Sequence, residues 1–219
     1  MGRMKALAIV VALCTIAIVP AQIRAAPPAG LASSKQMTHD EGENWTYLKP
    51  NLDLAGYRSF IVDPTVVYDG ADAQFDGVET GDRQKFAGIL TDGVRAELAK
   101  AFPLAEKPGP GVGRLKVTLL GVEPTKIGVK TATQVLPIGL ALNAVKSLRG
   151  KPGGAAGSVL YAVELIDSVS GELQVAAVRR DTPDALDISA SLGTEETVRA
   201  VGASMGRKFR EKLETATGR

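Results

Sequence analysis

The chain has 219 residues, 26 basic and 24 acidic side chains, one cysteine, one histidine and a mean hydropathy of +0.06. That length suits one domain with a substantial core. The near-even charge balance lacks the basic footprint of a nucleic-acid or polybasic membrane-surface protein, and a lone cysteine excludes an internal disulfide framework.

Arg3 and Lys5 precede Ala6 to Val19, an uncharged apolar run, and small residues follow at Ala21, Ala25 and Ala26. This order is that of a secretory signal peptide. The run falls short of the roughly 20 apolar residues that a spanning helix needs. Val19-Pro20-Ala21 and Ile23-Arg24-Ala25 both end in a small residue with an apolar one two places before it. Cleavage is expected after Ala25, with Ala21 as the alternative, so residues 1–25 form the signal. Their removal takes Arg3, Lys5 and Arg24 away and leaves 23 basic against 24 acidic residues, a net charge near −1. It also removes Cys14, and with it any thiolate nucleophile or cysteine metal site. Cys14 reads as an ordinary apolar residue of the signal. Membrane anchoring by lipid at Cys14 is the alternative, but Leu13 stands where a small residue belongs, and Thr15 to Val19 continue the apolar run.

Residues 26–44 are rich in Pro, Gly, Ala and Ser and read as a disordered tether. Order is expected from Trp45 and Tyr47, and the domain from there to about residue 216. Tyr57 to Tyr68 is β-branched and aromatic, hence a strand, with Pro64 marking an end, an edge or a bulge. Asp82 to Phe102 predicts a helix capped by Asp82, with Phe86, Ile89, Leu90, Val94, Leu98 and Ala101 on one face. Leu115 to Val122 and Ser158 to Ile166 alternate as strands. Asp167 to Gly171 is a hairpin turn leading to a return strand over Glu172 to Arg179. Thr194 to Leu213 predicts a second helix, capped by Thr194, with Val198, Val201, Met205, Phe209 and Leu213 as its buried stripe. The expectation is a single α+β domain in the order β-α-β-β-β-α. Its mainly antiparallel four-stranded sheet carries two helices packed on one face.

The chemical motifs are weak. Gly202-Ala203-Ser204-Met205-Gly206 spells G-x-S-x-G, but the nucleophile elbow needs a strand-turn-helix setting and a later histidine, and none follows. His39, among Asp40, Glu41 and Glu43, falls in the expected tether, which holds no ligand geometry. The glycine-rich stretch from Gly150 to Gly157 lacks the Lys-Ser/Thr ending of a phosphate loop and precedes a strand. Asn44-Trp45-Thr46 fits a glycosylation sequon, which matters only in a eukaryotic secretory pathway. Glu164 and Asp167 are the best paired carboxylates, yet strand alternation sends them to opposite faces. No catalytic, cofactor or metal residue is assigned. Val135 to Leu148 is apolar nearly all round and supplies the expected interaction surface through Val135, Leu136, Ile138, Leu140, Leu142 and Val145.

Tyr47-Leu48, Tyr57 to Pro64, Gly113 to Val117 with Pro124-Thr125-Lys126, and Val163 to Ser168 with Ser170-Gly171-Glu172 together resemble a family of small bacterial envelope proteins. Many are lipoproteins, and the family is known as domain of unknown function 3313. The resemblance spans nearly all of the chain after the signal, and implies export and an α+β domain without catalytic residues. The chain departs from it in the surroundings of Cys14. The expected function is that of a non-enzymatic periplasmic or envelope-associated protein acting through contacts with another envelope protein or with itself. Val135 to Leu148 and an open sheet face would be its surfaces. The alternative is a binding module for a lipid or cell-wall ligand.

Overall fold

The computed structural model describes residues 23–40, 44–125, 157–183 and 193–218. The six interaction residues from Val135 to Val145, Cys14 and the stretch 150–156 lie outside them. Among the described residues the protein is one α+β domain: two helices and a mixed, mostly antiparallel seven-stranded sheet.

Each strand foreseen from alternation forms. The Tyr57–Tyr68 segment is divided into β3 (Ser59–Val62) and β4 (Val66–Val67), with Pro64 in the break. There the backbone leaves the ladder, and the Thr65 N–H donates to Thr91 Oγ1 at 2.8 Å. The central strands are β5 (Val112–Glu123), β6 (Ser158–Asp167) and β7 (Leu173–Asp181). Two further strands, β1 (Thr38–His39) and β2 (Trp45–Leu48), extend the sheet beyond β7. The order is β1-β2-β7-β6-β5-β3, with β4 also on β5. β3 and β4 run parallel to β5, unlike the remaining antiparallel pairs. A parallel pair needs a long crossover, and helix α1 (Thr80–Leu98) supplies it. The sheet therefore differs from the expected four-stranded one: a break at Pro64 and a β-augmented edge raise its strand number.

α1 and α2 (Thr194–Thr217) pack across one face, as expected. Glu79 and Gly193 occupy the cap positions without side-chain caps, so neither Asp82 nor Thr194 caps its helix. Asp82 lies in the first turn instead, where its charge suits the helix dipole. Thr194 Oγ1 accepts the Thr125 N–H at 3.1 Å. Phe86, Leu90, Val94 and Leu98 of α1 and Val198, Val201, Met205 and Leu213 of α2 join Leu115, Val117, Leu119, Val159, Tyr161 and Val163 in the main core. Gly202 and Gly206 lie mid-helix against α1. A Cβ on Gly206 would sit 2.9 Å from Gly93 O, so small residues there set a close helix seam. The G-x-S-x-G letters are thus interior helix, not an elbow.

The opposite sheet face is covered rather than open. Leu120, Leu160, Ala162, Ala176 and Val178 point to that side and form a second apolar cluster with Ile23 and Met37. The segment expected as a disordered tether therefore runs as a strap: a 3-10 helix at Ala32–Gln36, then β1 paired with β2. Its composition is poor in apolar residues, but those few dock on an already apolar sheet face. The energy comes from the surface they cover, not from local hydrophobic density.

The Asp167–Gly171 turn forms as its sequence dictates. Asp167 Oδ1 accepts the N–H groups of Val169 and Ser170 and the Ser170 hydroxyl, while Gly171 takes φ +73°. The Ser170 backbone bond, aided by the Ser170 and Tyr57 hydroxyls, holds the Asp167 carboxyl below the usual Asp range. A carboxylate with a depressed folded pKa stabilises fully above its unfolded value and loses that contribution as pH falls through the folded one. Asp167→Asn should therefore lower stability at pH 7 by about 1 kcal/mol and flatten the acid limb below the ordinary value of 3.8. Denaturant melts across that range check this; an unchanged acid limb would count against the turn's role.

Candidate functional site

The sheet is wider than the helix pair. α1 lies over the β3 and β5 side and α2 crosses β6, so the β7–β2 side of the same face is only partly roofed. Strand alternation sends Thr46 and Leu48 of β2, and Val175, Ala177, Arg179 and Asp181 of β7, toward this gap. The C-terminal half of α2 stands opposite, with Met205, Phe209 and Leu213 facing in. Between them lies a groove of about 470 Å³, within the range of small-ligand sites. Leu52 and Leu54, which follow β2 in the chain, also line it.

The groove is apolar along its floor and carries charged side chains along its edge. Arg179, Lys208 and Lys212 line it against one lining carboxylate, Asp181. Asp181 Oδ2 accepts the Tyr161 hydroxyl at 3.0 Å and Lys208 Nζ at 2.9 Å. Burial, reinforced by the Asp181 charge, raises the Tyr161 phenol well above its ordinary value, so it stays a proton donor to Asp181. Arg179 Nη2 donates to Thr46 Oγ1 at 2.9 Å and stands 3.8 Å from Asp40 Oδ2. Leu48 is 59% exposed at the rim. The stripe residue Phe209 is half-buried, whereas Met205 and Leu213, which also line the groove, are buried.

The sequence motifs fare differently. His39 sits on β1 and packs edge-on against Trp45, with ring centroids 5.0 Å apart. Among the described residues no group of three or more His, Cys, Asp or Glu side chains is arranged to hold a metal ion. Glu164 is opposite Lys116 across β5, while Asp167 is engaged by its turn and by the Tyr57 hydroxyl at 3.1 Å. Burial, followed by that bond, pushes the Tyr57 phenol up to about 12. Three residues of extended strand, roughly 10 Å, separate the two carboxylates, so they do not form a paired site. Among the described residues no helix is long and apolar enough to cross a membrane. The groove itself escaped sequence reasoning. Its residues come from several separate elements, and the only local sign was the Phe209–Leu213 stripe running beyond the strands that α2 covers.

No curated protein matches this sequence. Among solved structures, the PelC dodecamer from Paraburkholderia phytofirmans is similar at 13% identity, covering 78% of this chain and 95% of its own, with a TM-score of 0.36. Protein XCC0632 from Xanthomonas campestris is similar at 11% identity, covering 78% and 94%, with a TM-score of 0.37. A candidate lipoprotein from Caulobacter crescentus is similar at 14% identity, covering 70% and 88%, with a TM-score of 0.31. Likeness of this order transfers no property to the present chain. The family model is a different matter, because it spans the strap, the sheet and most of α2. With residues 27–209 matched, the chain belongs to the family of proteins of unknown function DUF3313.

Proposed function

We propose that this is an exported, envelope-associated, non-enzymatic binding module whose groove takes a single-chain amphiphile with an anionic head group. The carrying observation is an apolar floor edged by Arg179, Lys208 and Lys212; Arg179 stands by Asp40 and Lys208 pairs with Asp181, which leaves Lys212 as the cation with no carboxylate partner among the described residues. An acyl chain on Leu48, Val175, Phe209 and Leu213 trades water for apolar contact at about 25 cal/mol per Å². The head group then meets Lys212 and the Arg179–Lys208 side, where opposite charge adds orientation. The N-terminal charge, apolar run and small residues of the sequence support export. A non-catalytic role is supported by the prior engagement of the polar groups: Tyr161, Asp181, Asp167 and Tyr57 each hold a structural partner. Titration of the mature protein with dodecanoate and dodecanol tests the reading. Dodecanoate should bind at least tenfold tighter than the neutral alcohol, with the advantage shrinking in salt. Equal affinity, or none for either, would overturn it.

A second reading is favoured by the exposure of Leu48 at the rim: an apolar side chain of a partner protein or of a second copy enters the same groove. The solution mass of the ligand-free protein separates the two. A stable dimer that dodecanoate does not dissociate would favour the protein contact.

A further inference from the structure

The sequence pattern favours cleavage after Ala25 over Ala21, and the contacts of residues 23–25 point the other way. We infer that export processing cuts after Ala21, so that Ile23, Arg24 and Ala25 stay on the mature chain as its anchoring end; this rests on the export reading. Ile23 is 9% exposed within the cluster of Met37, Leu120 and Leu160 on the strap face. The Gln74 side-chain amide pairs with the Arg24 backbone in both directions: the Arg24 N–H donates to Oε1 at 2.7 Å, and Nε2 donates to the Arg24 carbonyl at 2.9 Å. Gln74 is itself fixed to β5, its N–H donating to Leu120 O and its carbonyl accepting the Val122 N–H. That contact is tight, since a Cβ on Gly121 would lie 2.5 Å from Gln74 O. The Trp45 indole N–H donates to the Ala25 carbonyl at 3.1 Å.

Cleavage after Ala25 strips the apolar plug at Ile23 and removes the Arg24 and Ala25 backbone partners of the Gln74 amide and the Trp45 indole. Loss of the apolar contact is the larger effect, and loss of the exposed and part-buried hydrogen bonds adds modestly to it. Cleavage after Ala21 preserves all of these contacts. The remainder of the strap is tied down independently, with the Ala29 N–H on Asp72 Oδ2 and the Gly30 N–H on the Tyr68 hydroxyl. Ile23 to Ala25 are therefore the terminal segment of a continuous docked run, not a spacer ahead of it.

The intact mass of the full-length gene product after export tests the cut. A mature chain beginning at Gln22 is expected. One beginning at Ala26, or a lipid-bearing chain beginning at Cys14, overturns the inference while leaving export standing; an uncleaved chain beginning at Met1 overturns export as well. Stability supplies a second readout. Relative to the chain beginning at Gln22, one beginning at Ala26 should melt roughly 5–10 °C lower. Trp45→Phe should lower the melting temperature of the longer chain more than that of the shorter one, because only the longer chain has the Ala25 carbonyl to lose. Identical melting temperatures for the two chains, or equal effects of Trp45→Phe, would refute the anchoring role.

Discussion

Gly93→Ala is expected to destabilise the domain by about 2–3 kcal/mol, whereas Gly88→Ala on the same helix should stabilise it by up to about 1 kcal/mol. Both residues are helical glycines, and intrinsic propensity alone favours alanine at each. Their surroundings reverse one of the two signs. A Cβ on Gly93 would lie 2.8 Å from the Gly202 carbonyl carbon and 3.1 Å from the Ala203 nitrogen, both backbone atoms of α2. A Cβ on Gly88 meets nothing within 4 Å. Backbone of a facing helix cannot turn aside as a side chain does, so Gly93→Ala has to push α2 away from α1. Gly206→Ala should behave like Gly93→Ala, since its Cβ would meet Gly93 O at 2.9 Å and Val94 Cα at 3.0 Å. Urea titrations of the three variants measure the effect. A neutral Gly93→Ala would mean that the helices do not meet along this seam. Because the seam also fixes where α2 stands over the sheet, the two destabilised variants should bind amphiphile more weakly as well.

Val175→Trp should abolish dodecanoate binding, by at least tenfold in affinity, with little loss of stability. Val175 lies on β7 at the groove floor and is only partly buried, so a larger ring there fills space that a ligand needs without displacing packed core. Lys212→Glu acts on the other element of recognition. It should weaken dodecanoate several-fold at low salt, leave dodecanol unchanged, and lose its effect as ionic strength rises. Lys212 is the better choice over Lys208, whose ammonium is tied to Asp181 and contributes to the Tyr161 arrangement. If Val175→Trp bound dodecanoate normally, the ligand would have to sit elsewhere. If Lys212→Glu weakened dodecanoate and dodecanol alike, the groove edge would not be reading charge.

Much of this architecture follows from local pattern. The period-two alternation of Val159, Tyr161, Val163 and Leu165 and the helical stripes of α1 and α2 reappear as the main core, because those periodicities reflect geometry within one element. The Asp167 turn is equally local: a carboxylate within reach of its own next backbone N–H groups, and a glycine able to take positive φ. The second core was not foreseen, since an open sheet face was expected. β6 carries Leu160 and Ala162 between its inward residues, and such an unbroken apolar run belongs to a sheet covered on both faces. The cover comes from residues 23–39, which no local pattern marked for that role. Ile23 and Met37 are isolated apolar residues in a polar, proline-bearing stretch, and their docking depends on a surface assembled from distant strands.

Pairing across the sheet and the position of the helices over it were decided only by the assembled chain. β2 joins β7, more than a hundred residues later, and Gln74 joins Arg24, fifty residues earlier. Neither partner carries a mark of the other, since hydrogen-bonding backbone is the same at every position. The groove has the same origin. Its residues have ordinary local readings, most as strand or helix positions, and a groove forms because the seven-stranded sheet of the described residues is wider than the two helices that cover it. Helix stripes, strand alternation and the hairpin turn were accessible one segment at a time, as short-range chemistry. Strap, seam and groove required long-range contacts, whose energy depends on which surfaces remain uncovered once the segments meet.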